Sequence, residues 1–131
     1  MTASPSVPPP PVGFFSTPDR KRFQETTLLL LLREDGTIAE VTPGARRLLE
    51  YGADDVVDPC FFTHVHQRNL YQVMRDVAEM VTLGKSRASW LVRLKTGRQR
   101  WMWFKATVRN HLGEPDRAIS VELSSIRTLV V

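Results

Sequence analysis

The sequence predicts an α+β fold in which a five-stranded antiparallel sheet carries short helices and one long helix on one face, preceded by an N-terminal cap helix. Three segments in the C-terminal part alternate apolar and polar residues, which is the period of half-buried strands. Residues 67–83 instead repeat apolar residues at three-and-four spacing, which is typical of an amphipathic helix. Short turns separate the strands, and short connections favour antiparallel pairing.

The length and composition fit one small domain. The chain has 131 residues, of which 42% are hydrophobic, so a packed core can form. We expect residues 1–15 to be a disordered proline-rich tail, residues 16–26 to be the cap helix and residues 27–128 to be the folded domain. No apolar run reaches the roughly 18 residues of a membrane span. A cytoplasmic location without membrane contact is therefore expected.

The first elements follow from capping residues and a leucine run. Ser16–Pro18 combines two hydroxyl side chains with a proline, which is typical of a helix start, and the resulting short helix would carry Phe23. Residues 27–33 then form a strand whose consecutive leucines require cover on both faces. A glycine-containing turn at 34–37 leads to a returning strand at 38–41.

Helices occupy the middle of the chain. Thr42 stands before a proline in the same capping pattern, so a short helix is expected over residues 44–51, then a short turn at 53–57 and a single helical turn at 60–64. The long helix spans residues 67–83. Its predicted buried stripe consists of Leu70, Val73, Met74, Val77, Met80 and Val81.

Three strands complete the predicted sheet. They cover residues 86–95, 99–110 and 117–126, with a tight turn at Thr96–Gly97 and a loop at 112–116. Alternation assigns one face of these strands to the core. The inward residues are Trp90, Val92, Leu94, Met102, Phe104, Ala106, Val108, Ile119, Val121 and Leu123.

The residue types that carry catalysis do not form a recognisable constellation. Cys60 is the only cysteine, which excludes an internal disulfide and leaves a cysteine-based metal site without ligands. No segment matches a phosphate-binding glycine loop or the nucleophile elbow of hydrolases. We therefore expect no catalytic residues, no metal and no enzymatic activity.

Basic residues exceed acidic ones, and the formal net charge is +4. The charges are spread along the chain, which is typical of a solvated surface. Arg93, Lys95, Arg98 and Arg100 concentrate at one hairpin, where neighbouring tryptophans could stack on bases. Because no recognition helix or RNA-stacking motif accompanies them, a nucleic-acid partner is disfavoured.

Several segments resemble those of a known family when they are taken in order. Arg33–Ile38 places an acidic-Gly turn between two strands, and Pro43–Gly52 ends in Leu-Leu-Glu-Tyr-Gly. Phe61–Gln67 contains Val-His before the long helix, Val92–Trp101 is a basic hairpin ending in Arg-Trp, and Asn110–Glu114 has its own glycine. Together they resemble the PAS family over nearly all of the foldable chain.

The resemblance implies a sensor or regulatory module of signal transduction, which binds a small apolar ligand inside its cupped sheet or a downstream signalling protein. Flavin is disfavoured because Cys60 lacks the Asn, Arg and Gln neighbours found in light-sensing PAS proteins. Haem is disfavoured because His64 and His66 precede the long helix and neither lies clearly on its apolar stripe. We interpret both histidines as capping or hydrogen-bonded surface residues.

A ligand pocket is expected between the long helix and the sheet, where concave apolar sites usually form. Its predicted lining consists of Met74, Val77, Val92, Met102, Phe104 and Val121. The alternative is a purely structural homodimerisation module with a filled core. Large inward residues favour filling, whereas Ala45 and Ala106 leave space, and the sequence leaves both open.

The opposite face of the sheet is predicted to be a dimer interface. Once Met102 and Phe104 are assigned to the core, Trp101 and Trp103 must point outward and would expose an apolar patch. The predicted interface of this homodimer consists of Phe23, Leu29, Leu31, Leu91, Trp101 and Trp103. The cap helix of the same chain is the alternative cover.

Overall fold

A computed structural model describes residues 27–126, and these residues form the predicted α+β architecture. The strands are β1 (Leu29–Leu32), β2 (Ile38–Val41), β3 (Arg87–Lys95), β4 (Trp101–His111) and β5 (Ala118–Ser125). The helices are α1 (Pro43–Leu48), a 3₁₀ turn (Phe61–His64) and α2 (Gln67–Leu83). The tail and cap helix expected at 1–26, with Phe23, lie outside the described residues.

The strands pair in the order β2-β1-β5-β4-β3, and each pairing is antiparallel, as the short connections predict. The leucine strand β1 lies inside the sheet, and the expected cover of both its faces is confirmed. Leu30 and Leu32 belong to the main core, whereas Leu29 and Leu31 form a small second cluster with Ala118.

Helix α2 has the bounds that the sequence predicts. His66 caps its start, because the imidazole Nδ1 accepts a hydrogen bond from the backbone N–H of Arg68 at 3.1 Å. Gly84 ends it in a left-handed conformation with φ 71°. A side-chain cap at the start and a left-handed glycine at the end therefore define the length of the helix.

The buried stripe of α2 differs from the predicted one. It consists of Val73, Asp76, Val77 and Met80. Met74 was predicted to face the core, and this is wrong: its side chain is 45% exposed, because it lies a quarter-turn beyond Val73 on the helix surface. Val81 is also partly exposed.

The connection between β3 and β4 is longer than the predicted tight turn at Thr96–Gly97. The last strand pair is Lys95 with Trp101, so five residues form the connection. Its tip contacts the end of α1: the Gly97 N–H donates to the carbonyl of Leu49 at 2.8 Å. A Cβ atom at position 97 would collide with the carbonyl oxygen of Glu50, so this close contact requires glycine.

The core lies between the sheet and the helical layer. Two of its fully buried aromatic rings, Trp90 and Phe61, are stacked with centroids 6.3 Å apart. Phe104 and Ala106 lie beside them at 0% exposure. Within residues 27–126, no helix combines the length and the apolar character that a membrane crossing needs.

Candidate functional site

The outer face of β3 and β4 carries the exposed aromatic residues of the sheet. Trp101 and Trp103 are 45% and 44% exposed, and Leu91 beside them is 50% exposed. Phe104 follows Trp103 on β4, so its side chain points to the opposite face of the sheet, and it is fully buried. The outward placement of the two tryptophans predicted from alternation is therefore confirmed, and three large apolar side chains lie together on this face.

The strand register places a cation opposite each of these tryptophans. Arg93 pairs with Trp103, and Lys95 pairs with Trp101. The Arg93 N–H donates to Asn69 Oδ1, and the Arg93 carbonyl accepts from the N–H of His66, each at 3.0 Å. Because these groups point away from β4, Arg93 and Trp103 form a non-hydrogen-bonded pair, in which facing side chains approach most closely.

The two cations lie over the indole rings. The Arg93 guanidinium carbon is 4.6 Å from the centre of the Trp103 ring, and Lys95 Nζ is 5.8 Å from that of Trp101. Asn69 Oδ1 also accepts from Arg93 Nε at 3.3 Å, which holds the guanidinium in place. At exposed sites a cation–π contact contributes about 0.5–1 kcal/mol. The surface around the tryptophans is therefore both apolar and positively charged.

His66 borders this surface. Its ring meets that of Trp101 edge-on, with centroids 4.8 Å apart. Burial lowers the pKa of His66, and the nearby charges of Arg93 and Arg68 lower it further. The imidazole is consequently neutral at physiological pH, which leaves Nδ1 free to accept the capping hydrogen bond from Arg68.

His64 is also used in hydrogen bonds. Its Nε2 lies 2.9 Å from the carbonyl of Asp58, so this nitrogen carries the proton and donates. Its Nδ1 lies 3.4 Å from the hydroxyl of Tyr51, within hydrogen-bonding distance. The interpretation of His64 and His66 as capping or hydrogen-bonded residues is confirmed.

The predicted dimer-interface residues do not form one exposed patch. Leu91, Trp101 and Trp103 are accessible, whereas Leu29 and Leu31 are 8% and 3% exposed. The two leucines lie on β1, which β5 separates from β4. Among the predicted interface residues within 27–126, the accessible ones thus lie in the β3–β4 half of the sheet.

Most residues of the predicted pocket lie in the packed core. Val77, Val92, Phe104 and Val121 are at most 3% exposed and belong to a single cluster, and Met102 packs against its margin. A cavity nearby has a volume of about 10 Å³, which holds one water molecule at most. It is lined by Leu30, Ile38, Val41, Leu49, Tyr51, Val57, Phe61, His64, Leu94 and Lys95, none of which was predicted to line a pocket.

A buried carboxylate joins α2 to the sheet, and the sequence gives no signal for it beyond its place on an apolar stripe. Asp76 is 3% exposed; its Oδ2 accepts from Trp90 Nε1 at 2.8 Å and its Oδ1 from Lys85 Nζ at 2.7 Å. Burial acts to raise the pKa of Asp76, but the hydrogen bonds from Lys85 and Trp90 outweigh it and lower the pKa. Asp76 therefore stays ionised and acts as a structural acceptor.

One cation of the basic hairpin, Arg100, is neutralised by a salt bridge. Arg100 donates to both carboxylate oxygens of Glu50, at 3.0 and 2.6 Å, and Thr96 Oγ1 donates to the same group at 2.6 Å. Hydrogen bonds from Arg100 and then Thr96 lower the pKa of Glu50. Arg98 at the tip remains exposed. Within residues 27–126, His, Cys, Asp and Glu form no group of three or more that could hold a metal ion.

The fold of the chain is matched by solved structures of low sequence identity. No family model and no curated protein matches the sequence. The PAS-B domain of Cycle from Drosophila melanogaster, solved with bound ethylene glycol, superposes with a TM-score of 0.62 at 9% identity, over 73% of this chain and 96% of that one.

Two further structures show the same similarity. The PAS domain of the fruit-fly ELK potassium channel superposes with a TM-score of 0.62 at 13% identity, covering 85% of this chain and 98% of that one. The PAS domain of the quorum-sensing receptor RpfR from Cronobacter turicensis, in complex with BDSF, gives 0.60 at 15% identity, covering 77% and 94%. With the sheet order and the helix placement already described, these superpositions establish that the chain has the PAS fold.

Proposed function

We propose that the chain is a regulatory module of signal transduction that acts by binding another polypeptide through the outer face of β3 and β4. The observation that carries the proposal is the pair of half-exposed tryptophans, Trp101 and Trp103, which lie together with Leu91 on that face. Soluble proteins rarely keep such an apolar cluster in water unless it serves an interaction. Tryptophan and arginine are also the side chains enriched at the energetic centres of protein interfaces.

The use of the polar side chains supports a binding module rather than an enzyme. Thr42 Oγ1 accepts from the backbone N–H groups of Leu29 and Ala45 and so caps α1. His66 caps α2, and Asp76 is held between Trp90 and Lys85. Each group serves the fold, whereas a general base or a nucleophile needs a partner poised for reaction.

The packing of the core supports recognition at the surface rather than capture of a small molecule. The Cycle structure holds ethylene glycol, and the RpfR structure is a complex with BDSF. In this chain the cavity beside Tyr51 and His64 has about 10 Å³, far below the few hundred Å³ of ordinary ligand pockets. An apolar ligand would have to displace core side chains such as Phe61 that are already packed.

The partner predicted from the sequence is a second copy of the chain, and a downstream signalling protein is the other candidate. Either polypeptide would centre its contact on Leu91, Trp101 and Trp103, because these are the large apolar side chains accessible on this face. The cations that stand opposite these three residues bear on whether the partner is a second copy or a different protein.

The test uses a photo-crosslinking amino acid placed at Leu91 of the full chain in its source cells. We expect an adduct with a polypeptide, identified by mass spectrometry and reconstituted with purified components, that disappears when Trp101 and Trp103 are replaced by serine. The same amino acid at Val81, exposed on α2, is the matched control. If position 91 gives no adduct beyond that control, or if native mass spectrometry finds a small molecule bound in stoichiometric amount, the proposal is wrong.

A further inference from the structure

The outward positions of β3 and β4 form a surface that is basic and aromatic and contains no acidic residue. We name it the basic–aromatic face. Its members are Arg87, Ser89, Leu91, Arg93, Lys95, Trp101, Trp103, Lys105, Thr107 and Arg109. Half of them are Arg or Lys. The acidic residue at its border is Glu122 of β5, which stands opposite Thr107.

Three cations of this face keep their charge unneutralised. Arg87, Lys105 and Arg109 are exposed, and none of them forms a salt bridge within residues 27–126. Elsewhere within residues 27–126, Arg100 pairs with Glu50 and Arg117 pairs with Glu34, whereas Arg33 and Arg98 are exposed and form no salt bridge. Because the face combines five Arg or Lys side chains with no acidic one, its local electrostatic potential is positive.

The apolar members lie among the charges. Leu91 stands opposite Lys105, and the tryptophans stand opposite Arg93 and Lys95. A partner that covers the face must therefore offer apolar side chains and negative charges within a few ångströms of each other. A cation left unpaired under a purely apolar partner would carry a large desolvation penalty.

We propose that the basic–aromatic face binds an acidic segment of a different protein, in which Asp or Glu residues alternate with apolar side chains. This inference rests on the proposed function, because it names the partner of the same surface. The carboxylates pair with Arg87, Lys105 and Arg109, and the apolar side chains cover Leu91 and the edges of the indoles. Electrostatic complementarity of this kind selects the partner and speeds association.

The same charges argue against the two other occupants. A second copy stacked face to face would bring two sets of like charges together, which costs free energy at an interface. Single-stranded nucleic acid would need open indole faces on which bases can stack. One face of Trp103 is already covered by Arg93, and Asn69 holds that guanidinium in position.

The experiment measures fluorescence anisotropy of three labelled probes titrated with the full chain. The first is a 20-residue peptide in which glutamate and leucine alternate, the second replaces each glutamate by lysine, and the third is a 20-nucleotide poly-U strand. We expect binding of the acidic peptide alone, with a dissociation constant that rises tenfold or more in the double variant Lys105→Glu, Arg109→Glu. It should also rise with added salt.

The matched control is the double variant Arg33→Glu, Arg98→Glu, which has the same net charge but alters exposed cations outside the face. It should weaken binding less than twofold. Equal loss in both variants, equal binding of the lysine peptide or preferred binding of poly-U overturns the inference. A wild-type dimer that the Lys105→Glu, Arg109→Glu variant leaves intact but Trp101→Ser, Trp103→Ser dissociates also overturns it, while supporting the proposed function. Failure of the proposed function itself appears separately, as the missing adduct at position 91.

Discussion

Trp90 on β3 and Trp103 on β4 belong to one hairpin but lie on opposite faces of the sheet. Trp90 is 2% exposed, stacks on Phe61 and donates its Nε1–H to the carboxylate of Asp76. Trp103 is 44% exposed and lies under the guanidinium of Arg93. One residue type is thus used in two ways: the buried indole stabilises the fold, and the exposed indole lies on the outer face, where we propose that it contacts a partner.

The largest expected effect is on stability and falls on the buried indole. Trp90→Ala should lower the free energy of unfolding by about 3–5 kcal/mol, because it removes a large ring and leaves a cavity. Trp103→Ala should lower it by about 1 kcal/mol or less, since only a cation–π contact and partial burial are lost. Urea unfolding followed by far-UV circular dichroism measures both. Similar losses in the two variants would contradict the division of roles.

The second prediction concerns how much the hydrogen bond from Trp90 to Asp76 contributes to the stability that the buried indole provides. Asp76→Ala should cost about 1–3 kcal/mol, because it leaves the indole N–H buried without an acceptor. Trp90→Phe keeps most of the ring but removes the donor, so the two substitutions should be coupled rather than additive. A double-mutant cycle measures the coupling. Glu79→Ala is the control, since Glu79 binds the same Lys85 but its side chain is 36% exposed, against 5% for Asp76, and its effect should be smaller.

The ionisation of Asp76 predicts how stability depends on pH. Its pKa is lower in the folded state than the unfolded value of about 3.9. Its contribution is therefore fully present above the unfolded pKa, and it is lost as the pH falls through the folded pKa. The urea midpoint of the wild type should fall below about pH 4, and Asp76→Asn should show a shallower decline. Parallel pH profiles would show that Asp76 does not contribute.

The sequence predicts the regular elements well, because their patterns are local. The bounds of α2 follow from apolar spacing and from Gly84, and the alternation of β4 is sufficient to place Trp101 and Trp103 outward. The stripe of α2 is predicted less well. Met74 lies just beyond the buried arc, and Asp76 lies inside it only because Trp90 and Lys85 supply hydrogen bonds from elsewhere in the chain.

The candidate site depends on contacts that a linear pattern does not contain. Arg93 lies over Trp103 because the five-residue connection after Lys95 sets the register of the hairpin, and the sequence predicts a tighter turn. Asn69 holds the same guanidinium from the first turn of α2, and no local signal marks it. The alternation predicts which side chains face outward, whereas the pairing of cation with ring depends on the register between the strands.

The smallest expected effect is spectroscopic and tests the exposed indoles directly. Acrylamide, a neutral quencher, reaches side chains in proportion to their exposure, so a variant that keeps only Trp90 should be quenched weakly. A variant that keeps only Trp103, with Phe at the other two positions, should be quenched several-fold more strongly at unchanged circular dichroism. Addition of the glutamate–leucine peptide should then reduce quenching of Trp103 and leave that of Trp90 unchanged, because only the outer indole lies on the basic–aromatic face.

The variant Arg93→Gln tests the cation–π contact by the same measurement. Loss of the guanidinium 4.6 Å from the ring centre should increase the access of acrylamide to Trp103, with little change in the free energy of unfolding. If quenching of Trp103 is already as weak as that of Trp90 in the free protein, another part of the chain covers the face, and the exposed indole does not await a partner.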